Sequence, residues 1–282
     1  RLQRAPSGAR RGLNENYARE LLELHTLGVA GGYTQQDVQE LARMLTGWTV
    51  AGLPGARRGS AGGPLRFAFE PLLHEPGTKT VLGVTYAEAG QAEGMEVVRA
   101  LCRHPSTARF VAAKLVRHFI ADTPPPAAVA AVARVFTDTD GDLRATTRAL
   151  VERPEAWSAE YRKFRTPQDW LVAVLRAFDA DRAADNLAVL LQQLRHPLWA
   201  PAAPNGFADS TQDWADPDSL LNRAELARTI ARRVPPRFDP GTLLDVIDAP
   251  AADPLREMLV DTTVPAGERI ALAIASPAFQ WR

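Results

Sequence analysis

"NENYARELLELHTLGVAGGYTQQDVQELARMLTGW", residues 14–48, has the pattern of two amphipathic helices joined by a glycine turn. The first helix is predicted over 15–27, between the N-cap residue Asn14 and the first of several glycines. Thr34 and Asp37 have the spacing of a capping box at the start of a second helix. The apolar stripe of that helix comprises Val38, Leu41, Ala42 and Leu45. The segment therefore predicts a helical hairpin.

Most of the remaining chain also has helical periodicity. Residues 65–83 are the exception, because apolar and polar positions alternate there around a Pro-Gly turn, which predicts one small β-hairpin. Further helices are predicted at about 87–102, 106–121, 126–136, 142–152, 167–179, 183–194, 219–232, 240–248, 253–260 and 266–275. We expect a flexible lead-in over 1–12 and a single helical domain over 13–282. The predicted fold is mainly α, a multi-helical globular domain with one small β-hairpin insertion.

Composition excludes several classes of function. Lys and Arg together number 33 and Asp and Glu together number 33, so no overall charge draws the chain to nucleic acid. Cys102 is the only cysteine, which excludes an internal disulfide and a multi-thiolate metal cage. No apolar run approaches the roughly 20 residues of a membrane span. The sequence also has no GxSxG elbow, Walker loop, GxGxxG fingerprint or CxxC pair.

The first predicted helix has a polar face made of Asn16, Arg19, Glu20 and Glu23, which we call the signature face. One interpretation is a solvated surface with weak ion pairs between residues four apart. The other is a pair of carboxylates, Glu20 and Glu23, placed one turn apart with Arg19 and Asn16 as orienting donors. Such a pair could hold a divalent metal or divide acid and base roles. His25 lies on the opposite side of the helix and is predicted to be a hydrogen-bonded helix-end histidine.

Five further residues, in three parts of the sequence, could take part in chemistry. His74 and Lys79 flank the predicted Pro-Gly turn, either exposed or as an acid–base group and an anion-binding group. Lys114 and His118 are four residues apart on a helix, either as exposed basic residues or as a cationic corner facing the carboxylates. Arg223 is either a substrate clamp or a surface arginine.

Two broader signals also bear on function. Only Lys79, Lys114 and Lys163 are lysines in a chain that otherwise uses arginine, so the lysines are candidates for chemically required positions. The segment 196–219 is a long Pro-rich, aromatic loop, of the kind that carries function or covers the edge of a core.

These motifs resemble a large family of bacterial proteins catalogued as domain of unknown function 1800. Residues 14–28 and 32–48 match its signature nearly throughout, and "HEPGTKTVLG" (74–83) and "HPSTARFVAAKLVRHF" (104–119) resemble its downstream motifs. Glu75 stands where the family usually has Asp. The resemblance covers essentially the whole chain, although family members usually have a longer N-terminal region. It therefore implies that this sequence is the C-terminal portion of the family's longer domain.

The resemblance implies a cellular location and a partner, and it implies no activity. Family members are often exported, and their genes tend to neighbour those of a second family resembling sulfatases. We therefore expect a periplasmic or extracellular location for the parent protein and a co-encoded sulfatase-like exported protein as its partner. A family pattern that specifies the polar residues of the signature face also favours a buried polar network or a site over a merely solvated surface.

Two hypotheses follow for function. The first is a ligand-binding or hydrolase-like pocket for an anionic or polyhydroxy substrate, with a divalent metal held by Glu20 and Glu23 if one is bound. Its catalytic residues would be Glu20, Glu23 and His74. Its binding residues would be Asn16, Arg19, Lys79, Lys114, His118 and Arg223. The second hypothesis is a non-catalytic exported scaffold that binds a partner or a polymer, with the signature residues forming a structural polar network.

Overall fold

A computed structural model describes residues 13–52, 64–178, 186–235, 238–247 and 249–282. It confirms a mainly α fold, with two small two-stranded antiparallel sheets in the described chain. The predicted lead-in, 1–12, lies outside the described residues. Within the described ranges, no helix has both the length and the apolar character needed to cross a membrane.

The chain divides into two compact units. Unit 1 consists of Arg1–Leu115 and Pro126–Glu152, and unit 2 consists of Val116–Pro125 and Arg153–Arg282. The elements of unit 1 are α1 (Glu15–Glu20), a π-helical turn (Leu21–His25), α2 (Gln35–Met44), β1 (Trp48–Ala51), β2 (Arg66–Phe69), a 3-10 turn (Pro71–Leu73), β3 (Lys79–Val81), β4 (Val84–Tyr86), α3 (Gln91–Arg103), most of α4 (Pro105–Phe119), α5 (Pro126–Asp138) and α6 (Leu143–Val151).

The first predicted helix begins as expected but changes its winding. Asn14 caps α1 by accepting a hydrogen bond from the Tyr17 amide, as predicted. From Leu21 to His25 the chain is π-helical, so the side chains after Leu21 rotate away from the positions that a 3.6-residue period assigns. His25 is exposed at the end of this turn, and no hydrogen-bond partner for it is found in the described chain. The described residues therefore supply no partner for the predicted hydrogen bond of His25.

The second helix confirms its predicted start. The Thr34 hydroxyl accepts a hydrogen bond from the Asp37 amide, and Asp37 Oδ2 accepts one from the Thr34 amide at 2.7 Å. Asp37 Oδ1 also accepts a hydrogen bond from the Leu82 amide at 2.6 Å, which ties α2 to the turn between β3 and β4. The buried stripe of α2 then packs on α1 and β3 in the core of unit 1.

The strands pair differently from the predicted hairpin. β2 pairs with β1, with Trp48 opposite Phe69, and β3 pairs with β4, with Val81 opposite Val84. The segment 65–83 thus contributes one strand to each of two sheets, because the 3-10 turn and the Pro-Gly turn separate β2 from β3. Leu82 and Gly83 close the second hairpin with φ of 51° and 76°. A two-residue turn of this hand matches the twist of the strands.

Unit 2 is helical. Its elements are the end of α4, a 3-10 turn (Pro154–Trp157), α7 (Pro167–Ala177), α8 (Leu187–Gln193), α9 (Thr211–Trp214), α10 (Pro217–Ala231), a second 3-10 turn (Pro240–Asp245), α11 (Pro254–Val260), α12 (Ala266–Ala275) and α13 (Pro277–Gln280). Trp170 on α7 is fully buried and donates through Nε1 to the Ile274 carbonyl oxygen on α12 at 2.9 Å. This bond satisfies the indole N–H inside an otherwise apolar core.

The last residues of the chain return to the segment before α7. Phe164 and Trp281 form an antiparallel β-bridge, and their rings meet edge to face with centroids 5.3 Å apart. The Lys163 amide donates to the Arg282 carbonyl oxygen at 3.0 Å, and the Arg282 amide donates back to the Lys163 carbonyl oxygen at 2.9 Å. This pairing fixes the backbone around Lys163.

Candidate functional site

The signature face joins α1 to the start of α2. Asn16 Nδ2 donates to Glu20 Oε1 at 2.8 Å, and Arg19 Nη2 donates to Gln35 Oε1 at 2.5 Å. Gln35 in turn donates through Nε2 to Glu15 Oε2 at 2.6 Å. These side chains therefore satisfy one another at a partly exposed surface. Each such bond contributes about 1 kcal/mol or less at an exposed site.

Glu23 lies on the π-helical turn and interacts with Tyr33. Burial raises the pKa of the Tyr33 phenol, and the nearby Glu23 carboxylate, with which it is hydrogen-bonded, raises it further. π-helical turns are rare in proteins, and those that occur often lie at functional sites. Among the described residues, no hydrogen bond or ion pair joins Glu20 or Glu23 to His74, Lys79 or Lys114.

The two turn residues His74 and Lys79 meet in a buried ionic cluster with Glu93 of α3. Lys79 Nζ lies 2.6 Å from Glu93 Oε1, and both side chains are fully buried. His74 Nε2 lies 3.1 Å from the same carboxylate oxygen and 3.3 Å from Lys79 Nζ. The second oxygen of Glu93 accepts a hydrogen bond from the Ala89 amide at 2.8 Å. His74 is therefore not an exposed turn residue.

Neighbouring groups close this cluster completely. His74 Nδ1 lies 2.9 Å from the Thr46 carbonyl oxygen, which makes Nδ1 the donor. His74 Nε2 then accepts from Lys79 in the neutral ring, or donates to Glu93 when the ring is protonated. Because water does not reach Lys79 or Glu93, the cluster is suited to holding β3 on α3.

Lys114 lies apart from this cluster. Its side chain is exposed, and Nζ is 5.3 Å from the centroid of the Phe110 ring. The same ring packs on Gly28 at the end of the first helical segment, where an added Cβ would lie 2.6 Å from Phe110. The described residues contain no group of three or more His, Cys, Asp or Glu side chains arranged to hold a metal ion.

A second ionic cluster lies in unit 2 around Lys163. Its ammonium donates to Asp122 Oδ1 at 2.5 Å and to the Asp209 carbonyl oxygen at 2.8 Å. Asp122 Oδ2 accepts a hydrogen bond from the Thr211 amide at 2.7 Å. Lys163 is 3% exposed, whereas Asp122 is about one third exposed. The buried ammonium thus holds the loop that carries Asp209 against the segment that carries Asp122.

His118, at the end of α4, completes this cluster at the surface. Its Nδ1 lies 3.3 Å from Asp209 Oδ2, and Asp209 Oδ1 lies 3.5 Å from Lys163 Nζ. The His118 side chain is 44% exposed, and no partner for its Nε2 is found in the described part of the chain. An imidazole oriented through Nδ1 by a carboxylate leaves Nε2 free for proton transfer.

Both carboxylates of this cluster are held in their ionised form. Burial would raise the pKa of Asp209, but the hydrogen bond with His118 and the charge of Lys163 outweigh burial and lower it. Burial would likewise raise the pKa of Asp122, but its hydrogen bonds with Lys163 and Thr211 lower it. The Asp209 carboxylate therefore stays ionised beside the imidazole.

Arg223 is a buried side chain, so its interpretation as a surface arginine is wrong. It is 1% exposed, and its guanidinium donates to Gln280 Oε1 at 2.7 Å and to the Arg165 carbonyl oxygen at 2.8 Å. The guanidinium carbon also lies 4.7 Å from the centroid of the Phe164 ring. Burial lowers the pKa of Arg223 to about 10, although the Asp169 carboxylate opposes that change.

The structure brings some predicted residues together and adds others that the sequence did not single out. His74 contacts Lys79, and Asn16 contacts Glu20. Three acidic partners were not among the candidates: Glu93, which contacts His74 and Lys79, Asp122, which binds Lys163, and Asp209, which contacts His118 and Lys163. The scarcity of lysine pointed to Lys163. Asp209 lies in the loop 196–219, for which the sequence left two alternatives, carrying function or covering the edge of a core. Nothing in the sequence around Glu93 distinguishes it from an ordinary first-turn acid of a helix.

One comparison with known proteins gives a match. Residues 3–281 match the model of a family described as "Protein of unknown function (DUF1800)". No curated protein and no solved structure matches the chain. The match covers essentially the whole sequence and leaves the reaction to be argued from the side chains.

Proposed function

The chain belongs to the DUF1800 family of proteins of unknown function, and we propose that it is a hydrolase-like enzyme with its acid–base site in unit 2. His118 is the general base of this site and Asp209 orients it. The observation that carries the proposal is the half-exposed His118 ring, whose Nδ1 lies 3.3 Å from Asp209 Oδ2 while Nε2 is left without a protein partner among the described residues.

The proposed reaction is hydrolysis by an activated water molecule. His118 Nε2 takes a proton from water as the water oxygen attacks the carbonyl carbon of the ester. The same nitrogen then gives the proton to the alcohol oxygen as the bond between that oxygen and the carbonyl carbon breaks. Asp209 holds the ring in the tautomer with hydrogen on Nδ1 and stabilises the imidazolium that forms. Proton transfer of this kind contributes about 10²–10⁴-fold to a rate.

Lys163 and Asp122 are positioning residues in this proposal. Lys163 binds the Asp209 backbone carbonyl and lies near its carboxylate, so it places Asp209 for its contact with His118. Asp122 accepts a hydrogen bond from the buried ammonium and holds it in place. A site held by a second layer of charged hydrogen bonds is better ordered than one that depends on a mobile loop.

Ester hydrolysis with p-nitrophenyl acetate tests the proposal. His118→Asn should lower the rate at pH 7.5 at least about tenfold, since the general base is lost. Asp209→Asn should lower the rate less and change its pH profile. His25→Asn, which alters an exposed histidine of unit 1, is the matched control and should retain the wild-type rate. Equal rates for wild type and His118→Asn would overturn the proposal.

A second candidate function, a non-catalytic scaffold, is favoured by one observation. The side chains of the signature face bind one another and α2, which suits a network that stabilises the fold. The predicted alternative, a metal held by Glu20 and Glu23, remains a proposal for the same face. The variants Glu20→Gln and Glu23→Gln distinguish the structural network from the metal site. A lower melting temperature without bound metal favours the network, and loss of bound metal at an unchanged melting temperature favours the metal site.

The family resemblance supports a further part of the proposal, namely that the parent protein works outside the cytoplasm beside a sulfatase-like protein. Fractionation of the native cells with an antibody to this chain tests the location. Co-elution of the two purified proteins on size exclusion tests the partnership.

A further inference from the structure

Phe119, the last residue of α4, packs on the ring of the proposed general base. The Phe119 and His118 rings meet edge to face, with centroids 4.6 Å apart and planes at 86°. Phe119 is 54% exposed, whereas the neighbouring Val116 and Ile120 are buried. Single exposed apolar residues are common on proteins, so the contact with His118, and not exposure by itself, distinguishes Phe119. A large apolar ring thus faces solvent beside the imidazole.

The backbone that carries both rings is fixed at the end of α4. The Ile120 amide donates to the Val116 carbonyl oxygen at 2.9 Å, which completes the last helical turn. Arg282 Nη2 donates to the His118 carbonyl oxygen at 3.1 Å, one of the carbonyls near the end of the helix. Because the backbone is held on both sides of Phe119, an apolar group that lies on its ring keeps a constant position relative to the imidazole.

The charges beside the proposed base favour a substrate without a negative charge. Lys163 Nζ lies 2.5 Å from an oxygen of Asp122 and 3.5 Å from an oxygen of Asp209. This cluster has two negative charges and one positive charge when the imidazole is neutral. The guanidinium of Arg282 lies 3.5 Å from the Asp169 carboxylate, which offsets its charge. An anionic acyl group placed here would therefore meet a net negative charge, whereas a neutral acyl group would not.

We propose that Phe119 binds the apolar acyl chain of a neutral ester that the His118 site hydrolyses. The chain lies on the exposed Phe119 ring, and the carbonyl carbon meets the water activated by Nε2. An exposed aromatic ring suits this role because packing of the chain removes apolar area of both partners from water. The inference rests on the proposed function and deepens it by naming the substrate class, which differs from the anionic or polyhydroxy substrate that the sequence suggested.

The values of kcat/KM for p-nitrophenyl hexanoate and p-nitrophenyl acetate test this assignment. The ratio of hexanoate to acetate should fall about tenfold in Phe119→Ala, because the longer chain loses its packing surface. Phe119→Leu, which keeps an apolar side chain, should retain most of the ratio. Leu221→Ala changes a similarly exposed apolar residue on α10, so it is the matched control and should keep the wild-type ratio. Equal melting temperatures for the two alanine variants would show that the change does not come from unfolding.

Binding of hexanamide, measured by saturation-transfer NMR, separates this inference from the proposed function. Hexanamide has the acyl chain of the longer ester and a stable amide in place of the ester bond. Saturation transfer to its chain should weaken in Phe119→Ala and should remain in His118→Asn and Leu221→Ala, since the chain contacts residue 119.

The outcomes distinguish the two proposals. Weaker hexanamide binding in Phe119→Ala, together with an ester rate that does not depend on His118, would sink the proposed function and leave the apolar site. Equal hexanamide signals in Phe119→Ala and Leu221→Ala would overturn the apolar site, whatever the ester rates are. If hydrolysis depends on His118 but the ratio is unchanged in Phe119→Ala, the apolar site is also overturned, since a residue that only positions His118 lowers both rates together.

Discussion

The Lys79 ammonium lies 2.6 Å from the Glu93 carboxylate, and neither side chain is exposed to solvent. Residue 79 begins β3 and residue 93 lies in the first turn of α3, so this pair and His74 tie a sheet to a helix. Taking both charges out of water costs several kcal/mol, and the pair recovers this only while both partners are present. Removing one partner should therefore be worse than removing both.

Lys79→Met leaves the buried Glu93 carboxylate without its ammonium partner and should lower the free energy of unfolding by about 3–5 kcal/mol. The double variant Lys79→Met with Glu93→Leu should be more stable than Lys79→Met alone. Arg103→Gln breaks the exposed pair with Asp140 and is the control, with a much smaller expected loss. Urea unfolding at pH 7 measures all of these. A small loss for Lys79→Met would contradict a closed cluster.

Because of His196, we expect the free energy of unfolding to fall at acidic pH. Its ring stacks on Phe207 with centroids 4.0 Å apart and lies near Trp214. Burial lowers its pKa, although Asp169 opposes this. The unfolded chain then binds a proton more readily than the native chain, so stability falls as pH drops below about 6.5, the unfolded pKa of histidine.

His196→Phe keeps the stack and removes the titrating group. Its urea midpoint should therefore change less between pH 7.5 and pH 5.5 than that of wild type. His25→Gln, an exposed change, should keep the wild-type dependence on pH. A wild-type slope in His196→Phe would refute the prediction.

Gly94 of α3 packs directly against Trp48 of β1. A Cβ added at Gly94 would lie 2.7 Å from Cζ2 of the indole, so the ring or the helix would have to move. Gly94→Ala should therefore destabilise the protein by about 1–3 kcal/mol. Gly267→Ala on α12 meets open space and should stabilise it by about 0.5–1 kcal/mol. Melting curves of the two variants are the measurement, and equal shifts would show that the contact with Trp48 is loose.

Asp122→Asn should loosen the cluster around Lys163. The variant loses the carboxylate partner of a buried ammonium, so it should lower both the stability at pH 7 and the ester rate. Because the native pKa of Asp122 is lowered, its contribution is present above about pH 4 and is lost as pH falls through the native pKa.

The difference in stability between wild type and Asp122→Asn should therefore shrink below pH 4. Glu225→Gln, an exposed change on α10, is the control and should match wild type. Urea midpoints at pH 7, 4 and 3 measure the effect. A difference that is constant over this range would show that Asp122 does not act through its charge.

The sequence predicted features that depend on neighbours along the chain. Thr34 and Asp37 are three residues apart, and their reciprocal hydrogen bonds follow from that spacing. The α12 helix, Ala266–Ala275, has the bounds that its periodicity predicted. The π-helical turn was not predictable, because a helical wheel assumes a constant 100° per residue and cannot show a local change in winding.

The candidate site was predicted in part for the same reason. The sequence marked His118, Lys79 and Arg223 as residue types able to do chemistry, but it did not supply their partners. His118 and Asp209 are 91 residues apart, and Lys79 and Glu93 are 14 apart. No periodicity links such positions, so their contacts stayed unknown until the path of the chain was known.

The amino-acid sequence was enough to predict the helical class, most helix limits and the caps, since these depend on the hydrophobic period and on hydrogen bonds within one turn. It also determined the family through the signature segment, residues 14–48. The burial of Lys79 with Glu93 and the contact of His118 with Asp209 became known only from the folded chain. The reason is physical: the free energy of a charged side chain depends on its burial and on its partners, and both are set by packing between distant segments.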